Sequence, residues 1–206
     1  MYLTLWLSIL ATLLSVMAMA RDFLIPIFFR PKLLLSAGTT GEYRSDLTGL
    51  GNSLGTTFGY NFFRMKIENK SSATTSRADG VYLRILNVYK DNTELEPFNT
   101  MMMRWVSNTF SEDLSRGEHL FVNLVTICQD ENGHRYAYPG HMGGKQLGLS
   151  AGFPEDKLDQ PGDFSYRIGV YGKRLNGRTY IIKFHFEPNE SDSVTSLTLE
   201  DEKNLK

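Results

Sequence analysis

The residues best equipped for chemistry gather in one stretch. His134, Arg135, Tyr136, Tyr138 and His141 lie among turn-forming residues, and Cys128 precedes them. Imidazole nitrogens and a thiolate are ligands that zinc accepts, so Cys128, His134 and His141 are the set from which a metal site would be built. Such sites need three or four convergent ligands, and no close-spaced His-x-x-x-His pair occurs here. We therefore expect no metal and no other cofactor. His185 alternates with Phe184 and Phe186, which places it on the wet face of a strand.

One nucleophile spelling is present: Gly148-Leu149-Ser150-Ala151-Gly152 reads G-x-S-x-G. A nucleophile elbow needs a strand before the serine and a helix after it, whereas Pro154 follows here and no strand–helix alternation surrounds the motif. The Gly-rich runs also lack the Lys-Ser/Thr ending of a phosphate loop. No catalytic residue is assigned, and the chain reads as a non-enzyme. The alternative is a membrane-associated hydrolase or metal-dependent enzyme that uses the 129–162 segment. Asn69-Lys70-Ser71 and Asn189-Glu190-Ser191 spell glycosylation acceptors, a triplet that arises often by chance.

A second use of the same stretch is recognition. His134, Arg135, Tyr136, Tyr138 and His141 combine cations with aromatic rings on an expected loop. Arg and Tyr offer large contact area with polar tips, which favours them at interfaces. Against this, Tyr136 and Tyr138 would also serve to seal the end of a core, with His134 and Arg135 simply solvated.

The N-terminus sets the address of whatever carries these residues. Residues 2–20 form an apolar run with no Asp, Glu, Lys or Arg. As a helix, that length crosses roughly 30 Å of hydrocarbon. Residues 1–21 are thus expected to be a single transmembrane anchor, with membrane lipid as its partner through residues 2–20. Thr4, Ser8, Thr12 and Ser15, with Ala11 and Ala18, fall within an arc of about 120° on that helix. Small residues on one stripe allow a second helix or a second copy to approach closely. Equally, Ser and Thr in such helices bond their own backbone four residues back. Arg21, Arg30 and Lys32 follow the run and nothing basic precedes it, so the C-terminal domain is expected on the cytoplasmic side. The alternative is a signal peptide cleaved after Ala20, since Ala18-Met19-Ala20 is a small-x-small ending.

Composition narrows the rest. The chain has 206 residues and a net charge of −1 from 22 basic and 23 acidic residues, so it lacks the basic excess of a nucleic-acid binder. A single cysteine, Cys128, rules out an internal disulfide.

Behind a connector at 22–32, period-two patterning predicts strands. Leu33-Leu34-Leu35 reads as a first strand and Gly38–Gly59 as a long loop. Phe63, Met65 and Ile67 then alternate with Arg64, Lys66 and Glu68. Val81–Tyr89 carries apolar groups on both faces, as a central strand does, with Val81, Leu83 and Ile85 opposed to Tyr82, Leu86 and Val88. Asp91-Asn92 is a turn, Met103–Val106 a short strand with Trp105 as core anchor, and Leu120–Cys128 a strong strand. Residues 129–162 read as loop. Phe164, Tyr166, Ile168 and Val170 mark a strand, and Leu175-Asn176-Gly177-Arg178 a hairpin whose Asn-Gly pair tolerates positive φ. Tyr180, Ile182, Phe184 and Phe186 share one face of the return strand. Residues 33–187 are expected to be one all-β domain, an antiparallel β-sandwich. Residues 188–206 are expected to be a polar tail, disordered or weakly helical.

Three quoted segments carry a likeness. Ile67-Glu68-Asn69-Lys70, then Ala78-Asp79-Gly80-Val81-Tyr82-Leu83, then Leu114-Ser115-Arg116-Gly117-Glu118 before a strand, resemble bacterial and archaeal immunoglobulin-like domains of the cell-adhesion-related type. The likeness covers about residues 60–128. It departs at Ser71, where Gly is usual, and at the long 129–162 segment. It implies an immunoglobulin-like sandwich with a generic binding or spacer role, and it implies no catalytic residues.

Overall fold

A computed structural model describes residues 2–20, 30–51, 57–71, 77–95, 101–129, 133–140, 159–190 and 193–205. The β region is built on alternation. In β3 (Thr57–Asn69), Phe63, Met65 and Ile67 are buried while Arg64, Lys66 and Glu68 remain partly exposed, as the pleat of a half-buried strand requires. β3 pairs antiparallel with β8 (His119–Gln129), and β8 pairs with β9 (Arg135–Pro139).

The other edge of β3 is covered by two strands running in line, β1 (Leu33–Ala37) and β2 (Arg44–Gly51). Ala37 sits opposite Met65 and Arg44 opposite Phe63, so residues 38–43, with a 3₁₀ turn at Gly41–Tyr43, loop out of one long edge strand. This corrects the long loop expected over Gly38–Gly59. The Gly-rich composition, with Ser45 and Asp46, is a poor strand former alone, but a ready ladder on β3 overrides it. Lys66 Nζ reaches Glu42 Oε1 of the excursion at 3.1 Å, and that contact raises the ammonium pKa.

The second sheet runs β12 (Val194–Asp201), β11 (Arg178–Phe186), β10 (Gly162–Lys173), β4 (Ala78–Lys90). β4 is central, with β10 on one side. Three short strands line its other side: β5 (Thr93–Glu94), β6 (Met101–Met102) and β7 (Glu112–Leu114). Ile168 faces Ile85 and Arg167 faces Asn87, so Leu86 is an extra residue between two ladder partners. That bulge returns Val88 to the buried side with Ile85. Strict alternation therefore misplaced Val88 on the outer face. Asp91 and Asn92 form the expected turn, both with positive φ (49° and 63°). The β10–β11 hairpin is also where the sequence places it, with β11 at Arg178–Phe186. Its left-handed residue, however, is Arg174 at φ 63°, not Asn176 or Gly177.

The segment expected to be a disordered tail holds β12 (Val194–Asp201), followed by a 3₁₀ turn at Glu202–Leu205. β12 pairs with β11, with Leu199 opposite Ile182 and Leu197 opposite Phe184. Its acidic residues made it look unstructured. They are instead neutralised in place: Glu200 by Lys183 at 2.9 Å and Asp201 by Arg178 at 3.6 Å.

One core serves both sheets. It joins Phe63, Met65, Ile67, Val122 and Leu124 of the first to Leu83, Ile85, Phe164, Tyr166, Ile168, Ile182, Phe184 and Phe186 of the second. Trp105 ties the layers together. It is 1% exposed, makes a single β-bridge to Val122, and donates its indole N–H to the Val81 carbonyl at 3.3 Å. The expected strand at Met103–Val106 is replaced by β6 just before it, but the anchor role of Trp105 stands. Met103 is buried and Met102 37% exposed, so the methionine cluster is split between core and surface.

At the N-terminus, α1 (Tyr2–Met19) is an 18-residue helix whose described side chains, Thr4–Met19, are all exposed. Among the described residues, no helix is long and apolar enough to cross a membrane. Thr12 Oγ1 donates to the Ser8 carbonyl at 2.9 Å, so that hydroxyl of the polar stripe bonds within its own helix.

Candidate functional site

The expected recognition loop is mostly a strand. Arg135, Tyr136 and Tyr138 belong to β9, paired to β8 with Gln129 opposite Arg135, Cys128 opposite Tyr136 and Thr126 opposite Tyr138. His134 is exposed just before the strand, and His141 lies outside the described residues. Turn residues at both ends of this segment hid a five-residue strand. Gly140, in the left-handed region at φ 73°, ends it, and Thr126 Oγ1 donates to its carbonyl at 2.5 Å.

Arg135 is partly exposed but is tied down by the protein. Its guanidinium donates to the Ser193 hydroxyl at 2.9 Å and to the Glu190 carbonyl. It thus reaches from the first sheet to the chain that leads into β12 of the second. Tyr136 and Tyr138 lie with ring centroids 6.2 Å apart, tilted by 35°. Tyr138 also packs against the core, which is the sealing role weighed for it. The structure therefore brings Arg135, Tyr136 and Tyr138 together on one edge strand, with His134 at its start.

Cys128 is buried, with Sγ 4.0 Å from the Thr126 carbonyl. Among the described residues, no group of three or more His, Cys, Asp or Glu is arranged to hold a metal. The Gly148–Gly152 motif with Ser150 falls outside the described residues. His185 is half exposed, as alternation predicts, and its Nδ1 lies 2.7 Å from Asp163 Oδ1.

Asn69 is fully buried. Its amide nitrogen donates to the Leu114 carbonyl at 3.0 Å, and its amide oxygen accepts from the Ser71 hydroxyl at 2.5 Å and the Ser71 N–H at 3.2 Å. Ser71 Oγ in turn accepts from the Lys32 N–H at 2.9 Å, and Gly117 N–H donates to the Asn69 carbonyl at 2.8 Å. The acceptor triplet Asn69-Lys70-Ser71 is thus a polar fastener between the end of β3, the start of β1 and the β7–β8 turn. A buried amide held by hydrogen bonds through both its nitrogen and its oxygen is a poor acceptor for a sugar.

Sequence reasoning missed one feature. A cavity of about 180 Å³ lies where the chain enters β1 beside the β10–β11 hairpin. Arg30, Lys32 and Arg178 line it, with Asn176, Tyr180 and an apolar wall including Leu33, Val170 and Leu175. Arg30 Nη1 donates to Asn176 Oδ1 at 2.6 Å. Burial raises the Tyr180 phenol pKa, against a hydrogen bond donated by Arg178 that lowers it. The sequence signal was only the Arg30-Pro31-Lys32 cluster. Nothing in the sequence shows that Arg178 folds back onto it.

No known protein family matches the chain, and neither do curated proteins nor solved structures.

Proposed function

We propose that the chain is a membrane-tethered β-sandwich protein of the immunoglobulin-like kind, with a non-catalytic binding, scaffolding or spacer role. The observation that carries the tether is the surface of α1. Leu5, Leu7, Leu10, Leu13, Leu14 and Val16 are each more than half exposed, alongside Trp6, Met17 and Met19. Leaving one such side chain in water rather than burying it forgoes about 1.5–3 kcal/mol. Apart from the stripe of Thr4, Ser8, Thr12 and Ser15, the described surface of α1 is apolar, and such a surface calls for a non-aqueous neighbour, which lipid supplies. Two sheets closed over one core support the sandwich reading, and the meeting of Asn69 with Leu114 and Gly117 joins two of the segments that carry the immunoglobulin-like likeness.

Arg21, Arg30 and Lys32 after the run support a cytoplasmic β domain. The test is extraction of native membranes with alkaline carbonate and with detergent, followed by N-terminal sequencing. Release by detergent alone, with α1 intact, is the expected result. A mature N-terminus at Arg21, or release by carbonate, overturns the tether. Protease added to intact cells is expected to spare the β domain, and its digestion there would reverse the topology.

A further inference from the structure

We propose that the cavity between the entry to β1 and the β10–β11 hairpin binds a phosphate-bearing anion, held by Arg30, Lys32 and Arg178. Three cationic residues from two distant parts of the chain line a cavity of about 180 Å³, and none of the described residues lining it is acidic. Among the described residues, no carboxylate pairs with Arg30 or Lys32. Arg30 instead contacts the neutral Asn176 Oδ1 at 2.6 Å, which fixes the guanidinium without cancelling its charge. Arg178 is paired with Asp201 Oδ2 at 3.6 Å, which offsets part of its charge but is longer than a direct hydrogen bond and leaves N–H donors for an anion. Like charges repel, so cationic residues lining one cavity that has no carboxylate in its described lining favour an anion there.

Phosphate fits this set better than a carboxylate. A phosphate monoester carries close to two negative charges at neutral pH and offers three acceptor oxygens, whereas a carboxylate offers one charge and two. Guanidinium groups meet phosphate oxygens through paired N–H donors. With its oxygen turned to Arg30, the Asn176 amide keeps its N–H₂ as a further donor. Val170 gives the cavity an apolar side that suits the carbon skeleton of an ester. The space is well above the roughly 10–15 Å³ that a single water requires. Two sources share this chemistry: an anionic lipid headgroup, to which basic residues next to a membrane segment are drawn, and a soluble phosphate compound.

The experiment uses the full chain in neutral detergent micelles, so it does not depend on whether α1 enters a membrane. One arm titrates inorganic phosphate and glycerol phosphate. The other adds phosphatidylglycerol, with phosphatidylcholine as the neutral comparison. Binding in either arm is expected to weaken at least tenfold in Arg30→Gln/Arg178→Gln and severalfold in Lys32→Gln. Arg104→Gln serves as the control; that guanidinium sits 4.8 Å from the Phe110 ring and does not line the cavity. Should the double variant fail to fold, Lys32→Gln, which leaves the backbone bond to Ser71 in place, decides between the outcomes. Saturation by soluble phosphate identifies a soluble ligand, and saturation by phosphatidylglycerol alone identifies a headgroup; both support the site. Absence of binding in both arms, or equal binding by wild type and the cavity variants, overturns it.

Discussion

At the scale of single residues, the core holds one polar group that stands apart. Tyr166 is fully buried beside Phe184, ring centroids 5.1 Å apart, and its hydroxyl finds no hydrogen-bond partner among the described residues. Burial raises the phenol pKa well above its ordinary value. The folded state therefore favours the neutral phenol. Below the unfolded pKa of about 10 both states are protonated and stability is flat; above it, stability falls as pH rises, because only the unfolded chain readily gives up the proton. Tyr166→Phe is expected to raise stability by about 1 kcal/mol at neutral pH and to soften the alkaline loss, read from urea melts between neutral pH and about pH 11. Asn69 is the opposite case. Asn69→Ala strands the Leu114 carbonyl and the Ser71 hydroxyl, and is expected to cost about 2–3 kcal/mol in the same melts. Asp113 adds an acid-side effect. The Gly80 N–H, and then Arg77, hold its carboxylate pKa below the usual value. That contribution is present above the unfolded pKa and is lost as pH falls through the folded one. Asp113→Asn should flatten the acid limb of the stability profile.

At the scale of elements, what the sequence made legible followed the strength of alternation. β3, β4, β8, β10 and β11 are strongly patterned, and each lies where its pattern puts it. The strands that were missed are edges: β2, β9 and β12, and the short β5, β6 and β7. An edge strand needs only one good partner and keeps polar residues on its open side, so its own sequence carries little signal. The candidate site suffered for the same reason, because Arg135, Tyr136 and Tyr138 ride on such a strand. The cavity was less legible still, since it depends on a hairpin folding against the start of β1. Two outcomes follow. Removing residues 194–206 would be silent if they were a tail; instead it should lower the melting midpoint and promote association, because it bares the β11 edge and strips Leu197 and Leu199 from the core margin. Arg135→Ala should cost about 1–2 kcal/mol, more than the roughly 0.5 kcal/mol of an ordinary surface change, because it cuts a tie between the sheets.

At the scale of the whole molecule, the segment 101–106 stitches the two layers together, pairing with β4 through Met101–Met102 and bridging to Val122 of β8 at Trp105, whose side chain fills the core between them. Trp105→Ala is expected to cost about 3–5 kcal/mol, with loss of near-ultraviolet circular dichroism preceding loss of strand signal as denaturant is added. The pairing of β4 with β10 also imposes an order in time. β4 ends at Lys90, and its partner begins only at Gly162. At a synthesis rate of about 5–20 residues per second, the most apolar strand of the second sheet waits several seconds with a bare edge before its neighbour exists. β12 is made last, so β11 cannot close until the chain is nearly complete. Assembly of this sheet is therefore governed by the ribosome's clock: anything that stalls translation between these strands leaves an aggregation-prone edge exposed for as long as the stall lasts.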